Sequence, residues 1–367
     1  MSQKRHGIVF RIIKVILIVL LAVFILAGGM IGFLSATEYK PEDRETVSVT
    51  GEPVKELTLG EDFSVLTFNI GYGALGDNAD FFMDGGKSVM TADKERVKQN
   101  LNGILDCVTQ LDPDIVFFQE IDKDSTRSHH INEYEHFMSE KTQYAFSFAN
   151  NFKVAYLPYP IPPIGKVDSG IATASKFGAQ SAERIQLPIP FSWPIRMANL
   201  KRCVLVNRIP IKGSDKSLVL FNLHLEAYDS GEGKVAQTKM LAELLKAETE
   251  KGNYVIAGGD FNQIFSNADK SAYPAQEGKW TAGEIDVTAF GDGFDFLMDE
   301  SVPSCRSLDV AYKNADKYSF QYYLIDGFIV SKNIQVKSFK TQNLEFVNSD
   351  HNPVIINVVL TEDSEYE

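Results

Sequence analysis

The chain opens on one unbroken apolar block and then settles into short hydrophobic runs that end on polar residues. Residues 15–34 are uncharged over 20 positions, the length needed to cross a hydrocarbon core about 30 Å thick. They show no polar face, which argues against a helix packed inside a soluble domain. Lys4, Arg5, Arg11 and Lys14 all precede the block, and the first charge after it is Glu38. By the positive-inside rule, residues 1–14 form a cytoplasmic basic tail and the rest of the chain lies outside the cytoplasm, in the cell membrane as a single-pass protein. The competing reading is a cleaved signal peptide ending at Leu34-Ser35-Ala36. The block is longer than the usual apolar region of about 7–15 residues in such peptides, so an uncleaved anchor is favoured. Residues 35–61, polar with Pro41 and Pro53, read as a linker leading to a domain over 62–361, with an acidic tail at 362–367.

Within that domain the periodicity changes repeatedly between two and 3.6. Residues 63–69 alternate and then turn apolar, as a strand entering a sheet does. A glycine-rich loop follows. Val97, Leu101, Ile104, Leu105, Val108 and Leu111 recur at helical spacing, with Thr91 as a cap, Asp93 in the first turn and Asp112-Pro113 as the stop. Residues 114–120 form a second buried strand, completing a βαβ-like unit. Residues 144–167 are rich in aromatics and proline, which argues against a central strand or helix and for a packed loop or an apolar lid. A second such stretch, 188–194, follows a strand at 170–175. Residues 201–209 and 217–225 pair through a turn at Lys212-Gly213-Ser214-Asp215, and 234–251 read as an amphipathic helix ended by Gly252. Residues 255–257 form a short strand broken at Gly258-Gly259. Residues 322–330 read as a strand with Asp326 at its middle, paired with 336–343, and 354–360 as the last strand.

Composition narrows this picture. Hydrophobic residues make up 44% of 367, ordinary for a globular core. The chain has 36 basic against 49 acidic residues; without the four basic residues of the first 35 this leaves 32 against 49, a net of −17. So acidic a domain does not attract polyphosphate chains through its overall field. Cys107, Cys203 and Cys305 lie far apart and match no zinc spacing, and the first two read as core residues. His129, His130 and His136 fit no zinc helix and read as a solvated segment.

The chemistry gathers where apolar runs break: Asn69, Glu120, His224, Asp260 with Asn262, and Asp350 with His351. A carboxylate for a hard cation, amides for oxygens, two histidines and spare carboxylates suit metal-assisted phosphoester hydrolysis. In this order the stretches Leu66-Thr67-Phe68-Asn69, Phe118-Gln119-Glu120, Asn222-Leu223-His224-Leu225, Gly259-Asp260-Phe261-Asn262, Leu324-Ile325-Asp326 and Ser349-Asp350-His351 resemble the endonuclease/exonuclease/phosphatase superfamily, with its deoxyribonuclease-I-like fold. The resemblance covers about residues 63–360.

It implies an α/β fold: a four-layer sandwich of two packed mixed β-sheets flanked by helices, preceded here by the transmembrane helix. It implies that Glu120 binds Mg²⁺ (or Mn²⁺) with Asn69 beside it and Asp350 assisting. His351 would activate water, with Asp326 orienting its ring. Asp260 and Asn262 would place the nucleophile and a phosphate oxygen. His224 would stabilise the transition state or protonate the leaving group. The acidic domain, the anchor and the two proline-aromatic stretches favour a lipid-borne or small phosphoester over nucleic acid. A surface nuclease for DNA or RNA is the alternative, and an inactive ligand-binding surface protein is the alternative of another class.

Overall fold

The apolar block forms one continuous helix. In the computed structural model, which describes residues 2–361, α1 spans Ser2–Ala36. Its part His6–Ala36 is long and apolar enough to cross a membrane. The basic residues before position 15 belong to the same helix, and the acidic tail at 362–367 lies outside the described residues. The chain continues through β1 (Arg44–Val47), β2 (Asp62–Asn69), α2 (Lys94–Leu111), β3 (Ile115–Asp122), α3 (Glu133–Glu140), β4 (Ala145–Leu157), β5 (Gly165–Ser175) and β6 (Ser181–Gln186). Then come β7 (Cys203–Pro210), β8 (Ser217–His224), α4 (Glu232–Thr249), β9 (Tyr254–Asp260) and the short β10 (Gln263–Phe265) and β11 (Gly283–Ile285). The chain ends with β12 (Phe294–Leu297), β13 (Cys305–Arg306), β14 (Tyr322–Tyr323), β15 (Asp326–Ser331), β16 (Ile334–Thr341) and β17 (Val354–Leu360).

Seven strands make one mixed sheet, β1-β6-β7-β8-β9-β15-β12, and six make a second, β16-β17-β2-β3-β5-β4. Alternation along each strand decides which layer each residue joins. In β2, Phe63 and Val65 pack between the sheets against Leu218, Leu220, Ile256 and Phe328. Leu66 and Phe68 of the same strand point outward onto Val97, Leu101 and Ile104 of α2. On the other side, Phe221 and Val255 meet Leu241 and Leu245 of α4. The result is the expected four-layer α/β sandwich: helix, sheet, sheet, helix. The β2–α2–β3 unit has its two strands parallel, as a crossover through a helix requires.

Several local expectations are corrected. Asp93, not Thr91, caps α2, accepting from Arg96 N at 2.8 Å; Thr91 Oγ1 is turned to Ala74 O instead. The stretch 144–167 is not a loop throughout. β4 runs to Leu157 before the first proline, on the edge of its sheet, where one unpaired side is tolerated. Asp326 opens β15 rather than lying inside a longer strand, because the chain breaks after Tyr323 and Ser304 Oγ accepts from the N–H groups of Ile325 and Asp326. β16 does not pair with β15. It crosses to the other sheet and pairs with β17.

The linker is also not free. β1 pairs with β6, Thr50 bridges to Phe146, and Lys55 and Leu57 bridge to Phe177 and Ile211. Residues 35–61 are therefore stitched along both sheets, and the reach of a flexible tether is lost.

Candidate active site

Strand register builds one row of polar residues at the edge of the seven-stranded sheet. β8 and β9 run parallel with His224 opposite Asp260, and β15 lies antiparallel on the far side of β9 with Asp326 opposite Asp260. Gly259 makes this approach possible. Its φ is +147°, and a Cβ there would fall 1.9 Å from Leu223 O. The facing edge of the second sheet supplies Asn69 at the end of β2, next to Gln119 of β3. Beneath the row the two sheets are joined by buried amides, with Gln119 Nε2 donating to Asn222 Oδ1 at 2.9 Å.

Asp260 is the hub. Its Oδ2 accepts from Asn69 Nδ2 at 3.0 Å, and lies 3.4 Å from His224 Nε2 and 3.8 Å from His351 Nε2. Its Oδ1 accepts from the backbone N–H of Asn262 at 2.8 Å. Asn262 reaches this position in a left-handed conformation with φ +51°, which asparagine tolerates, so the chain turns immediately after Asp260. The Asn262 side chain is anchored to Leu225 O at 2.9 Å. His351 Nδ1 is 2.8 Å from Asp326 Oδ2. A carboxylate on that nitrogen fixes the ring and leaves Nε2 to face the cleft.

The two histidines are driven in opposite directions. Burial, with the charges of Arg202 and His351, holds His224 well below its usual value, so its ring is neutral. Burial works against charging His351 too, but Asp326 overcomes it and holds His351 well above the usual value. Burial and the charge of Asp326 together push Asp260 upward.

Glu120 and Asp350 line the same cleft, whose volume is about 720 Å³. Glu120 sits at φ +53° where a bulge interrupts the β3–β5 ladder, a device that re-aims a side chain. Burial raises Asp350 to about 7, with Glu120 adding to the effect and His351 opposing it. An acid pushed so far up in the field of a second carboxylate is the environment that a divalent cation relieves, so the residues fit such an ion. Cys305, Asp350 and His351 offer ligand atoms within 4.8 Å of one another, as do Asp260, Asp326 and His351. The second group is held together by the His351–Asp326 contact and reads as a proton relay. Glu120 belongs to neither group, approaching from β3. Asn69 does not line the cleft. It stands behind Asp260 and ties it to the loop through Gly71 N, which donates to Asn69 Oδ1 at 3.1 Å.

Among the lining residues that escaped the sequence analysis are Arg202, Tyr228, Arg306 and Asp84. Tyr228 Oη donates to Asp84 Oδ1 at 3.2 Å. Arg306 is spent on the carbonyls of Ser307 and Gly76. Arg202 is buried, its Nε 3.9 Å from Glu226 Oε2, and neither Nε nor Nη1 makes a hydrogen bond. Its only sequence signal was the pair Lys201-Arg202, which resembles a solvated charge until the fold buries it.

A family model for the endonuclease/exonuclease/phosphatase family matches residues 66–351. This chain belongs to that family. As a member it is a hydrolase of phosphoester bonds. Solved structures share the family's fold at low sequence identity. An endonuclease/exonuclease/phosphatase from Beutenbergia cavernae superposes with a TM-score of 0.57 at 16% identity, over 82% of this chain and 72% of that one. ANGEL2, a 2′,3′-cyclic phosphatase, gives 0.52 at 14%, over 86% and 99%. Truncated TDP2 from Caenorhabditis elegans gives 0.51 at 15%, over 82% and 98%. None of the curated proteins matches this chain. The family's members generally use divalent metal ions, which agrees with the acid pair in the cleft.

Proposed function

We propose that this protein is a Mg²⁺-dependent phosphoester hydrolase (Mn²⁺ serving as well) anchored by α1, with its cleft on the extracytoplasmic face and a lipid-borne or small phosphoester as substrate. The observation that carries this reading is the convergence of Asp260, the His351–Asp326 pair, His224, Glu120 and Asp350 on one cleft. Glu120 and Asp350 would hold the cation, which when bound supplies charge stabilisation at a phosphoryl oxygen and acidifies water.

The chain's own residues do the rest. His351 Nε2 takes the proton from the attacking water while Asp326 stabilises the ring that becomes charged. Asp260, held by Asn69 and the Asn262 N–H, orients that water. Neutral His224 offers one N–H to a phosphate oxygen, so it acts as a hydrogen-bond donor more readily than as a cationic acid. Arg202, buried beside Glu226, lines the same cleft and adds its positive charge near that anion.

Three arginines line the cleft: Arg127, Arg202 and Arg306. Arg127 is held bidentately by Asp122 at 3.0 and 3.1 Å, and Arg306 is spent on carbonyls. That leaves Arg202, itself 3.9 Å from Glu226, where a duplex would need a row of cations. Phe82, Met83, Leu157, Ile164 and Ile195 also line the cleft, which suits a hydrocarbon. The test is a hydrolysis screen of the purified chain with Mg²⁺ and with chelator, covering phospholipids, inositol phosphates, nucleotides, RNA and plasmid DNA. Metal-dependent turnover of a lipid or small ester is expected. Efficient nicking of plasmid with no action on the others would return the reading to a surface nuclease, and no turnover of any kind to a ligand-binding protein.

A further inference from the structure

The end of α1 is built into the mouth of the cleft. Leu34 is the last residue of the apolar block 15–34, and it is buried against Val154 and Met197, with Phe152, Leu157 and Ala198 packed around them. Met30, one turn earlier, joins the same cluster, about 6 Å further along the helix. Just beyond the helix, Glu38 is clamped by Arg196 at 3.2 Å and Lys201 at 3.3 Å. No length of free chain separates the apolar block from the domain. If residues 15–34 cross a bilayer, whatever touches Leu34 lies at its surface.

Two loops flank this junction, 158–164 and 192–198. Both carry large apolar side chains on their outer side: Tyr159 is 70% exposed, Ile161 93%, Trp193 59% and Ile195 63%. The same loops turn Tyr159, Ile164, Pro194, Ile195 and Ala198 into the cleft. One rim thus adjoins both the helix and the mouth of the site. Tryptophan and tyrosine beside aliphatic residues are the side chains favoured at the membrane–water boundary, and the bilayer that holds α1 is the surface the structure places against them.

We infer that this rim rests in the headgroup zone of the bilayer that holds α1, and that the cleft takes a phospholipid directly from that leaflet. The lipid moves sideways past the rim. Its hydrocarbon lies along Leu157, Ile164 and Ile195, and its phosphate reaches Arg202, Asp260 and His351. This rests on the phosphoester-hydrolase reading for the substrate, but the docking of the rim does not.

The chain has two tryptophans, Trp193 and Trp280. In full-length Trp280→Phe with His351→Ala, reconstituted in mixed phosphatidylcholine–phosphatidylglycerol vesicles, Trp193 is the sole indole and no lipid is consumed. Its emission is expected to be blue-shifted and quenched by more than about half by shallow dibrominated lipid. Emission of a water-exposed indole, quenched by aqueous acrylamide and untouched by brominated lipid, would overturn the docking. A second arm uses the active chain with Ile161→Asp and Trp193→Asp, neither of which lines the cleft. Turnover of vesicle phospholipid should fall at least roughly tenfold, while turnover of water-soluble bis(4-nitrophenyl) phosphate stays within about twofold. Equal loss on both substrates, or wild-type turnover of the soluble ester alone, would overturn lateral access with the hydrolase reading intact. If the wild type turns over neither ester, the hydrolase reading and lateral access fall together, and the quenching result still decides the docking.

Discussion

The floor and the rim of the cleft are built on opposite principles. The floor is a row of buried, mutually bonded polar groups: Asn69, Asp260, His224, Asp326 and His351 are all nearly inaccessible to solvent. The rim is exposed and apolar, and it has hydrocarbon where the floor has charge. In the floor each group is positioned by a neighbour at hydrogen-bond range, so energy is concentrated in geometry and electrostatics. In the rim the outward apolar side chains contribute mainly through the area they can bury. Changes in the floor should therefore alter rate and metal affinity steeply, whereas changes in the rim should alter stability and placement gradually.

The largest expected effect is in the floor. His351→Ala should lower kcat by roughly 10²–10⁴-fold, the scale of general acid–base catalysis, with vesicle retention unchanged. Stopped or continuous assays on the substrate found by the screen measure it, and a loss under about threefold would detach His351 from the chemistry.

Next, Glu120→Gln should weaken Mg²⁺ binding by at least the roughly 10–100-fold that losing even an outer partner costs at a metal site. Titration calorimetry giving equal affinity for mutant and wild type would remove Glu120 from the site.

Asp326→Asn should cost less in rate than loss of the histidine, because the ring keeps a partner and loses only the charge. Its more telling signature is in pH. His351 must be neutral to act as base, and Asp326 holds its pKa up. Activity in the wild type therefore rises with pH through that elevated value, and the acid limb of kcat/KM should move to lower pH in the variant. Stability follows the same linkage. The pair's contribution is fully present below the unfolded histidine value of about 6.5 and is lost as pH rises through the folded value. Thermal unfolding across that window should show a shallower alkaline decline in Asp326→Asn. An unshifted acid limb would contradict the orienting pair.

The smallest effect belongs to the buried junction between α1 and the rim. Leu34→Ala removes part of a contact with Val154 and Met197. The cost should stay below the roughly 2–5 kcal/mol of a fully enclosed leucine, a fall of a few degrees in Tm with kcat on a soluble ester unaltered. A loss of catalysis as large as that in the floor would show that the junction is coupled to the row.

Much of this molecule could be read from the chain alone, and the reason is periodicity. An uncharged run of 20 residues, a 3.6-residue repeat through 97–111 and alternation through 63–69 are local properties, so the apolar first helix, α2 and β2 were accessible without coordinates, while the helix–sheet–sheet–helix class came from the resemblance that the ordered motifs carry. The polar breaks at Asn69, Glu120, His224, Asp260 and His351 were visible too, because apolar strands that stop on such residues are conspicuous. What tertiary structure alone decided was adjacency. Asp260 meets His224 and Asp326 through strand register, and that register depends on Gly259 letting Leu223 O approach. Arg202 went unremarked because nothing in Lys201-Arg202 encodes that it will be enclosed beside Glu226. The stretch 35–61 looked like a tether because polar, proline-bearing sequence does not reveal a distant unpaired edge such as β6. Local pattern chooses the elements; long-range pairing, which has no local signature, chooses which side chains share a site and how close the apolar helix α1 stands to it.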